Sequence, residues 1–363
     1  MKLDPRVEAQ TDTCAYCPKL CRFSCPAAAG ESRETVTPWG LMSLLRAVRL
    51  EHVELNAEVG EVFFHCAGCM RCQSFCKHEN DVAEGMYAAR GLLVERGVPL
   101  PRALQGLDLR FERDGSSLGP APALPASWRE VFDPGASVAF FPSAERRVWD
   151  PEGVVAVGRL LEAALGHKVA LLEGSSEAPL HDCGEALRQA GYGAAAQAWR
   201  ARLAQGAEPF ERVVVESAAL VGEGGLERAA HVLEVLHESL PRWSPRLLPW
   251  DEARGRKVVF HDACEVGRRA GLYDTPRALL RALVGEGGWE ELWLHRREAL
   301  CCGAGAHYPT VAPEGAAEAA RLVEAAAVDQ GGELLVTGSL RCARHMGGRA
   351  RELVGLLAGC LGA

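Results

Sequence analysis

Two regimes of hydrophobic and polar patterning divide the chain. From about residue 137 onward, short β-rich apolar runs alternate with longer stretches whose apolar positions recur every three to four residues. The short runs are VAFF, KVALLE and RVVVE, then KVVF, WEELWL and ELLVTG. The longer ones are GVVAVGRLLEAAL, AAAQAWRARLA and LERAAHVLEVLHESL, then TPRALLRALV, PEGAAEAARLVEAAAV and ARELVGLLAG. Strands that alternate in this way with amphipathic helices predict parallel α/β layers. Before about residue 98 the pattern is helical. TPWGLMSLLRAVRL places Leu41, Leu44, Leu45 and Val48 on one face, with Pro38 where a first helical turn tolerates it, and AEGMYAARGLLVERG reads as a second helix. The stretch between, PLPRALQGLDLRFERDGSSLGPAPALPASW, is rich in Pro and Gly without a clear period and reads as a linker.

The order of elements after residue 137 occurs twice, at an offset of about 120 residues, which is the signature of an internal duplication. VAFFPSA aligns with VVFHDAC, so that Ala144 stands opposite Cys264. HDCGEAL aligns with LCCGAGA, placing Asp182 opposite Cys301 and Cys183 opposite Cys302. VVVESAALV aligns with LLVTGSLRC, placing Val221 opposite Cys342. The expected fold is therefore α+β and multidomain. A helical unit at 1–98 and a linker at 99–136 precede a degenerate repeat at 137–250 and an intact, cysteine-rich repeat at 251–363.

Composition narrows the function. The chain has 363 residues, nearly half of them hydrophobic, and so can bury ordinary cores. Its first residues, MKLDPRVEAQ, hold no apolar signal-like stretch, and no run reaches the length of a membrane span. The expectation is a cytoplasmic protein that reaches the inner face of a membrane only through partners. A net charge of −8 argues against a nucleic-acid partner. Fourteen cysteines in a reducing compartment point to metal or cluster ligation rather than to disulfides.

Eight of those cysteines form two tight runs. Cys14, Cys17, Cys21 and Cys25 read C-x2-C-x3-C-x3-C-P, and Cys66, Cys69, Cys72 and Cys76 read C-x2-C-x2-C-x3-C. Thiolates two or three residues apart on a turning loop converge on one iron-sulfur cube, while the fourth serves the other cube. Two 4Fe-4S clusters follow, one on Cys14, Cys17, Cys21 and Cys76, the other on Cys25, Cys66, Cys69 and Cys72. The first run has one residue more than usual between its second and third cysteines, and Lys77 replaces the expected Pro. Zinc is the competing occupant, but its sites pair C-x2-C halves across a longer gap. His65 and His78 flank the second run as supporting or surface groups.

Two ferredoxin-type runs followed by a duplicated C…CCG…C unit resemble the fused iron-sulfur subunits of the heterodisulfide reductase family. That group includes the iron-sulfur subunits of glycolate oxidase, of anaerobic glycerol-3-phosphate dehydrogenase and of lactate-oxidising complexes. The resemblance covers nearly the whole chain. It implies a helical ferredoxin-like domain followed by two CCG repeats, and a third cluster or metal at Cys264, Cys301, Cys302 and Cys342. The family's repeat closes on C-x2-C, whereas here His345 stands at the second position. A four-thiolate cluster, a mixed site using His345 and a different metal all remain open. Cys183 is a further candidate ligand from the degenerate copy.

Arginines crowd the intact copy at Arg268, Arg269, Arg296, Arg297, Arg341, Arg344 and Arg349. Positive charge near a thiolate-ligated cluster raises its potential, so the arginines mark a high-potential site, a face for an anionic partner, or ordinary solvated surface. His261 and Asp262, just before Cys264, are candidates either for proton delivery or for simple support of the loop. No dinucleotide-binding or phosphate-binding glycine motif is evident. The resemblance implies an electron-transfer subunit that takes electrons from a flavoprotein dehydrogenase and passes them to quinone or another carrier. Disulfide reduction at the CCG site and a non-catalytic metal-binding scaffold are the alternatives.

Overall fold

Uninterrupted apolar runs suit strands covered on both faces, and every run expected as a strand contains one. In a computed structural model, residues 3–175, 178–222 and 225–362 are described. The degenerate repeat contributes β1 (Val138–Phe141), β2 (Ala170–Leu171), β3 (Arg212–Val215) and β4 (Ala229–His231). The intact repeat contributes β5 (Val258–His261), β6 (Trp289–Glu291), β7 (Leu334–Thr337) and β8 (Ala350–Glu352). Each set forms a four-stranded parallel sheet, in the orders β2-β1-β3-β4 and β6-β5-β7-β8. The two sheets share one topology. They also share one core, in which Phe140, Leu160, Leu236 and Trp243 of the first pack in a continuous cluster with Phe260, Leu279, Leu335 and Leu357 of the second.

Three features depart from the sequence pattern. β4 and β8 lie inside stretches that read as helix, LERAAHVLEVLHESL and ARELVGLLAG. In both, a three-residue strand pairs with the neighbouring central strand, and a helix starts at the next residue, Val232–Glu238 or Leu353–Gly359. Ala, Arg and Glu favour helix locally, and tertiary pairing overrides that preference. The stretch 99–136 is packed rather than bare: it holds the helix Leu107–Asp114 and buries Leu104, Leu107, Phe111, Val131 and Phe132. The sheet registers also shift one alignment. Val138 pairs with Arg212 as Val258 pairs with Leu334, so residue 212 corresponds to 334 and Leu220, not Val221, corresponds to Cys342.

The N-terminal unit is helical, as its pattern requires. The helices Pro5–Ala15, Pro38–Arg49 and Val82–Glu95 enclose Val7, Leu41, Leu45, Phe63 and Met86. Thr37 caps the second by accepting the Gly40 N–H at 3.0 Å. The short helix Pro26–Glu31 lies on Pro313–Asp329 of the intact repeat. Glycine permits this approach, because a Cβ on Gly30 would stand 2.5 Å from the Gly315 carbonyl oxygen. Glu31 ties the contact by accepting bonds from His65 Nδ1 at 2.8 Å and the Tyr308 hydroxyl at 2.9 Å. Among the described residues, no helix is long and apolar enough to cross a membrane.

Candidate iron-sulfur relay

Twelve of the fourteen cysteines neighbour one another in succession, from the N-terminal unit into the intact repeat. At the outer end, Cys14, Cys17, Cys21 and Cys76 are electrostatic neighbours and line a cavity of about 480 Å³ that Trp39 and Phe75 also wall. Cys72 lines the same cavity and couples to Cys21. Inward, Cys72 is coupled to Cys25, Cys66 and Cys69. Cys69 is buried and lies within hydrogen-bonding reach of Cys301, which in turn reaches Cys264 and Cys302. The Cys302 and Cys342 sulfurs are 3.3 Å apart. Helical turns and tight loops bring together the cysteines within a run. Packing of the N-terminal unit on the intact repeat brings Cys69 to Cys301.

Several of the thiols resist ionisation as they stand. Burial pushes Cys21 and Cys66 up to about 11, with neighbouring thiols adding to the effect at both and Arg90 opposing it at Cys66. Cys69 goes the other way. Its hydrogen bond with Cys301, opposed by burial and assisted by Arg268 and Arg71, draws it below the ordinary thiol range. Among the described residues, no three Cys, His, Asp or Glu side chains form a site arranged for a single metal ion.

Two buried arginines, Arg71 and Arg90, and the half-buried Arg268 supply a test of what the cysteines could hold. Arg90 has no exposed surface, and its guanidinium donates to the carbonyls of Phe63, Cys66, Gln189 and Ala306 at 2.7 to 3.1 Å. Arg71 donates to the Glu298 and Ser24 carbonyls, and Arg268 to those of Cys69, Arg297 and Ala299. None of the three forms an ion pair among the described residues, with Glu298 only a more distant electrostatic neighbour of Arg71, although a buried charge is costly without a close counter-charge. Two buried polar atoms beside the same cysteines, Arg268 Nη2 and the Tyr87 hydroxyl, have no hydrogen-bond partner in the protein. A thiolate-ligated iron-sulfur cluster is net anionic and accepts hydrogen bonds at its sulfurs. The donor set and its surroundings fit such a group.

The sheets aim the intact repeat's ligand loops. Cys264 follows β5, and Cys342 sits in the helix Leu340–Met346 after β7, where Ser339 caps the helix by accepting the Cys342 N–H. Gly303 holds a φ of +85°, which lets the CCG loop lie against the helix Pro313–Asp329. His261 braces this loop: its Nε2 donates to the Leu300 carbonyl at 3.0 Å, and its Nδ1 lies 3.1 Å from Thr337 Oγ1. Asp262 takes a bidentate pair from Arg277 at 2.8 Å and the Arg296 N–H at 2.6 Å. Both are thus bonded to the backbone of the segment that leads into the CCG cysteines.

The degenerate copy presents different chemistry to the same cleft. Cys183 lines it opposite Cys301 and Cys302, 3.3 Å from Ser217 Oγ, and burial pushes its thiol up to about 12. Ala144 and Asp182 stand where the intact copy has cysteines, and a buried ion-pair network lies beside them. Arg146 joins Asp150, Glu216 and Glu352, while Arg341 joins Glu145. His345 lines a separate cavity, with its Nε2 donating to the Ala316 carbonyl at 3.1 Å.

Among the described arginines marked in the sequence, Arg268 turns towards the thiols, from a half-buried position. Arg269 pairs with Glu185, Arg296 with Asp274, Arg344 covers the Trp149 ring, and Arg349 bonds the Gly332 carbonyl. His65 is buried against Glu31 and His78 is exposed. Sequence reasoning missed Arg71, Tyr87 and Arg90. The signal for Arg90 was a charge on the apolar stripe of its helix, four residues after Met86 and three before Leu93.

Comparison with known proteins places these features in a family context. Residues 258–347 match the CCG cysteine-rich domain. Over 137 residues the chain is 25% identical to a subunit of the dihydromethanophenazine:CoB–CoM heterodisulfide reductase of Methanosarcina acetivorans, covering 38% of this chain and 32% of that one. Over 82 residues it is 34% identical to the EtfAB:quinone oxidoreductase of Syntrophomonas wolfei, covering 23% and 11%. Over 64 residues it is 39% identical to a probable membrane-anchored ferredoxin of Chromohalobacter salexigens, covering 17% and 9%. The matches thus span no more than 32% of the length of these relatives.

Proposed function

Taking the chain as a CCG-domain iron-sulfur protein homologous to a heterodisulfide reductase subunit, we propose that it is the electron-transfer subunit of a flavoprotein dehydrogenase complex. Cys14, Cys17, Cys21 and Cys76 hold one 4Fe-4S cluster, and Cys25, Cys66, Cys69 and Cys72 hold a second. Cys264, Cys301, Cys302 and Cys342 hold a third iron-sulfur group. The clusters, when bound, supply one-electron transfer. The observation that carries this reading is the line of neighbouring thiols from the outer cavity, through Cys21 and Cys72, to Cys69 and Cys301.

The chain's own residues organise that line. Arg71, Arg90 and Arg268 place positive charge along its inner half. Around its outer end Tyr16, Leu20 and Phe23 are 82%, 63% and 64% exposed, and Phe23 is stacked edge-on with Phe75 at 4.8 Å. Exposed aromatic and apolar groups in one patch mark an interaction surface. This is where the flavoprotein partner docks and electrons enter, and the repeat end passes them to quinone or another carrier.

Two measurements test the reading. The purified chain should contain about eight irons or more, with matching sulfide and reducible EPR signals. Affinity capture of the tagged chain should bring down a flavoprotein whose substrate reduces those signals. Turnover of a disulfide by the isolated chain, with no flavoprotein captured, would instead support reductase chemistry at the CCG site. Zinc without iron would leave a metal-binding scaffold.

A further inference from the structure

Beside the CCG loop, adjoining the inter-repeat cleft, lies a second cavity of about 490 Å³, within the usual range for small-molecule sites. Arg110, Arg341, Arg344, His307, His345 and Trp149 line it, and none of its lining residues is acidic. We propose that this cavity binds a small organic molecule through an oxyanion group, carboxylate or phosphate, one loop away from the cysteines of the intact repeat.

Charge is the first argument. The chain as a whole carries a net −8, yet this concavity gathers three guanidinium groups. Arg341 is already paired with Glu145. Arg110 donates only to the carbonyls of Gln105 and Ala103, at 2.9 and 2.7 Å. Arg344 lies with its guanidinium carbon 4.7 Å from the centre of the Trp149 ring. Neither Arg110 nor Arg344 forms an ion pair among the described residues, Asp114 being only a more distant electrostatic neighbour of Arg110, so both keep their capacity for an anion. A cleft lined by one sign of charge concentrates ligands of the other sign, and arginine forks match carboxylate and phosphate oxygens.

The field is also felt by a side chain inside the cavity. His307 is driven down to about 4, first by burial and then by Arg90, Arg341 and Arg110, despite its bond to the Ala186 carbonyl. Ala306 and His307 hold φ values of +49° and +63° in succession, a left-handed conformation that costs energy in non-glycine residues and collects at functional sites. Gln189, Ser117 and Thr310 add neutral polar groups to the wall. Ala304, two residues beyond Cys302, and Arg341, next to Cys342, line this cavity and the cysteine cleft alike. An anion bound here sits directly behind the CCG loop.

Titration calorimetry on the full, iron-loaded chain tests the site, with inorganic phosphate and malonate as probes. At least one should bind. Arg344→Gln and Arg110→Gln should each weaken that binding by about tenfold, as expected for the loss of one charge-assisted hydrogen bond. Arg349→Gln, whose arginine lies outside the cavity, should leave it unchanged, and equal iron content and circular dichroism would show that the variants fold. Phosphate binding without malonate assigns a phosphate-bearing ligand, and the reverse assigns a carboxylate. The proposal is overturned if neither probe binds at millimolar concentration, or if binding survives both cavity substitutions unaltered. The test does not depend on the identity of any partner, so its failure would leave the electron-transfer reading standing.

Discussion

Arg268 joins two parts of the relay through one side chain. Its Nε donates to the Cys69 carbonyl at 2.6 Å, and its guanidinium is held electrostatically by Cys69, Cys264 and Cys301. A cation at that junction favours the more negative, reduced state of whatever the thiolates hold. Arg268→Gln should therefore lower the midpoint potential of the neighbouring centres by about 60 mV, the equivalent of a tenfold shift in a one-electron equilibrium. An EPR-monitored redox titration measures this, and Arg349→Gln should leave the potential unmoved. The cluster of arginines around the intact repeat was legible in the sequence, but its division of labour was not. A guanidinium has long reach, and Arg268, Arg344 and Arg349 were aimed at thiols, tryptophan and a carbonyl only by the surrounding fold.

Elements meet where glycine lets them. A Cβ on Gly303 would lie 2.9 Å from the Ala319 Cβ and 3.0 Å from the Ala316 carbonyl oxygen, at a φ that disfavours any side chain. Gly303→Ala should cost about 1–3 kcal/mol of stability through backbone strain and overlap. On the proposed reading it should also lower the iron retained by the intact repeat, while the signals of the N-terminal clusters persist. Thermal unfolding and iron analysis of the variant check both expectations.

Glu31 is the corresponding polar tie. Burial raises its carboxyl, but the bonds from His65 and Tyr308 outweigh it and hold the group below its ordinary range. A carboxyl lowered on folding contributes stability that is fully present above its unfolded value, about 4.3, and is lost as pH falls through the folded value. The stability gap between the native chain and Glu31→Gln should thus be largest near neutrality and narrow below about pH 4. Denaturant unfolding across that range measures it. At this scale the central strands and long helices were readable from period alone. β4 and β8 were not, because three-residue edge strands made of Ala, Arg, His and Glu carry no strand pattern and form only against β3 and β7.

For the molecule as a whole, the succession of cysteines has an open end and a covered end. Tyr16, Leu20 and Phe23 leave the outer cysteines beside an exposed apolar rim, whereas Cys301 and Cys302 are buried between the repeats. On the proposed reading, Leu20→Glu should weaken association with the flavoprotein partner at least tenfold, by placing an unpaired charge in an apolar contact, without changing the iron content. Surface plasmon resonance against the captured partner, with iron analysis alongside, would show it.

Cysteine grouping was determined by the sequence itself, since thiols two or three residues apart on a turn stay neighbours whatever the rest of the chain does. The duplication was determined in the same way, through the repeated order of short strands and helices. Only the tertiary structure decided that Cys69 meets Cys301, that His345 bonds the Ala316 carbonyl in a cavity apart from the cysteines, and that Arg71, Arg90 and Arg268 close around the thiols. Those contacts join residues far apart in the chain. They depend on how the N-terminal helices dock against the second repeat, and spacing along the chain carries no record of that docking.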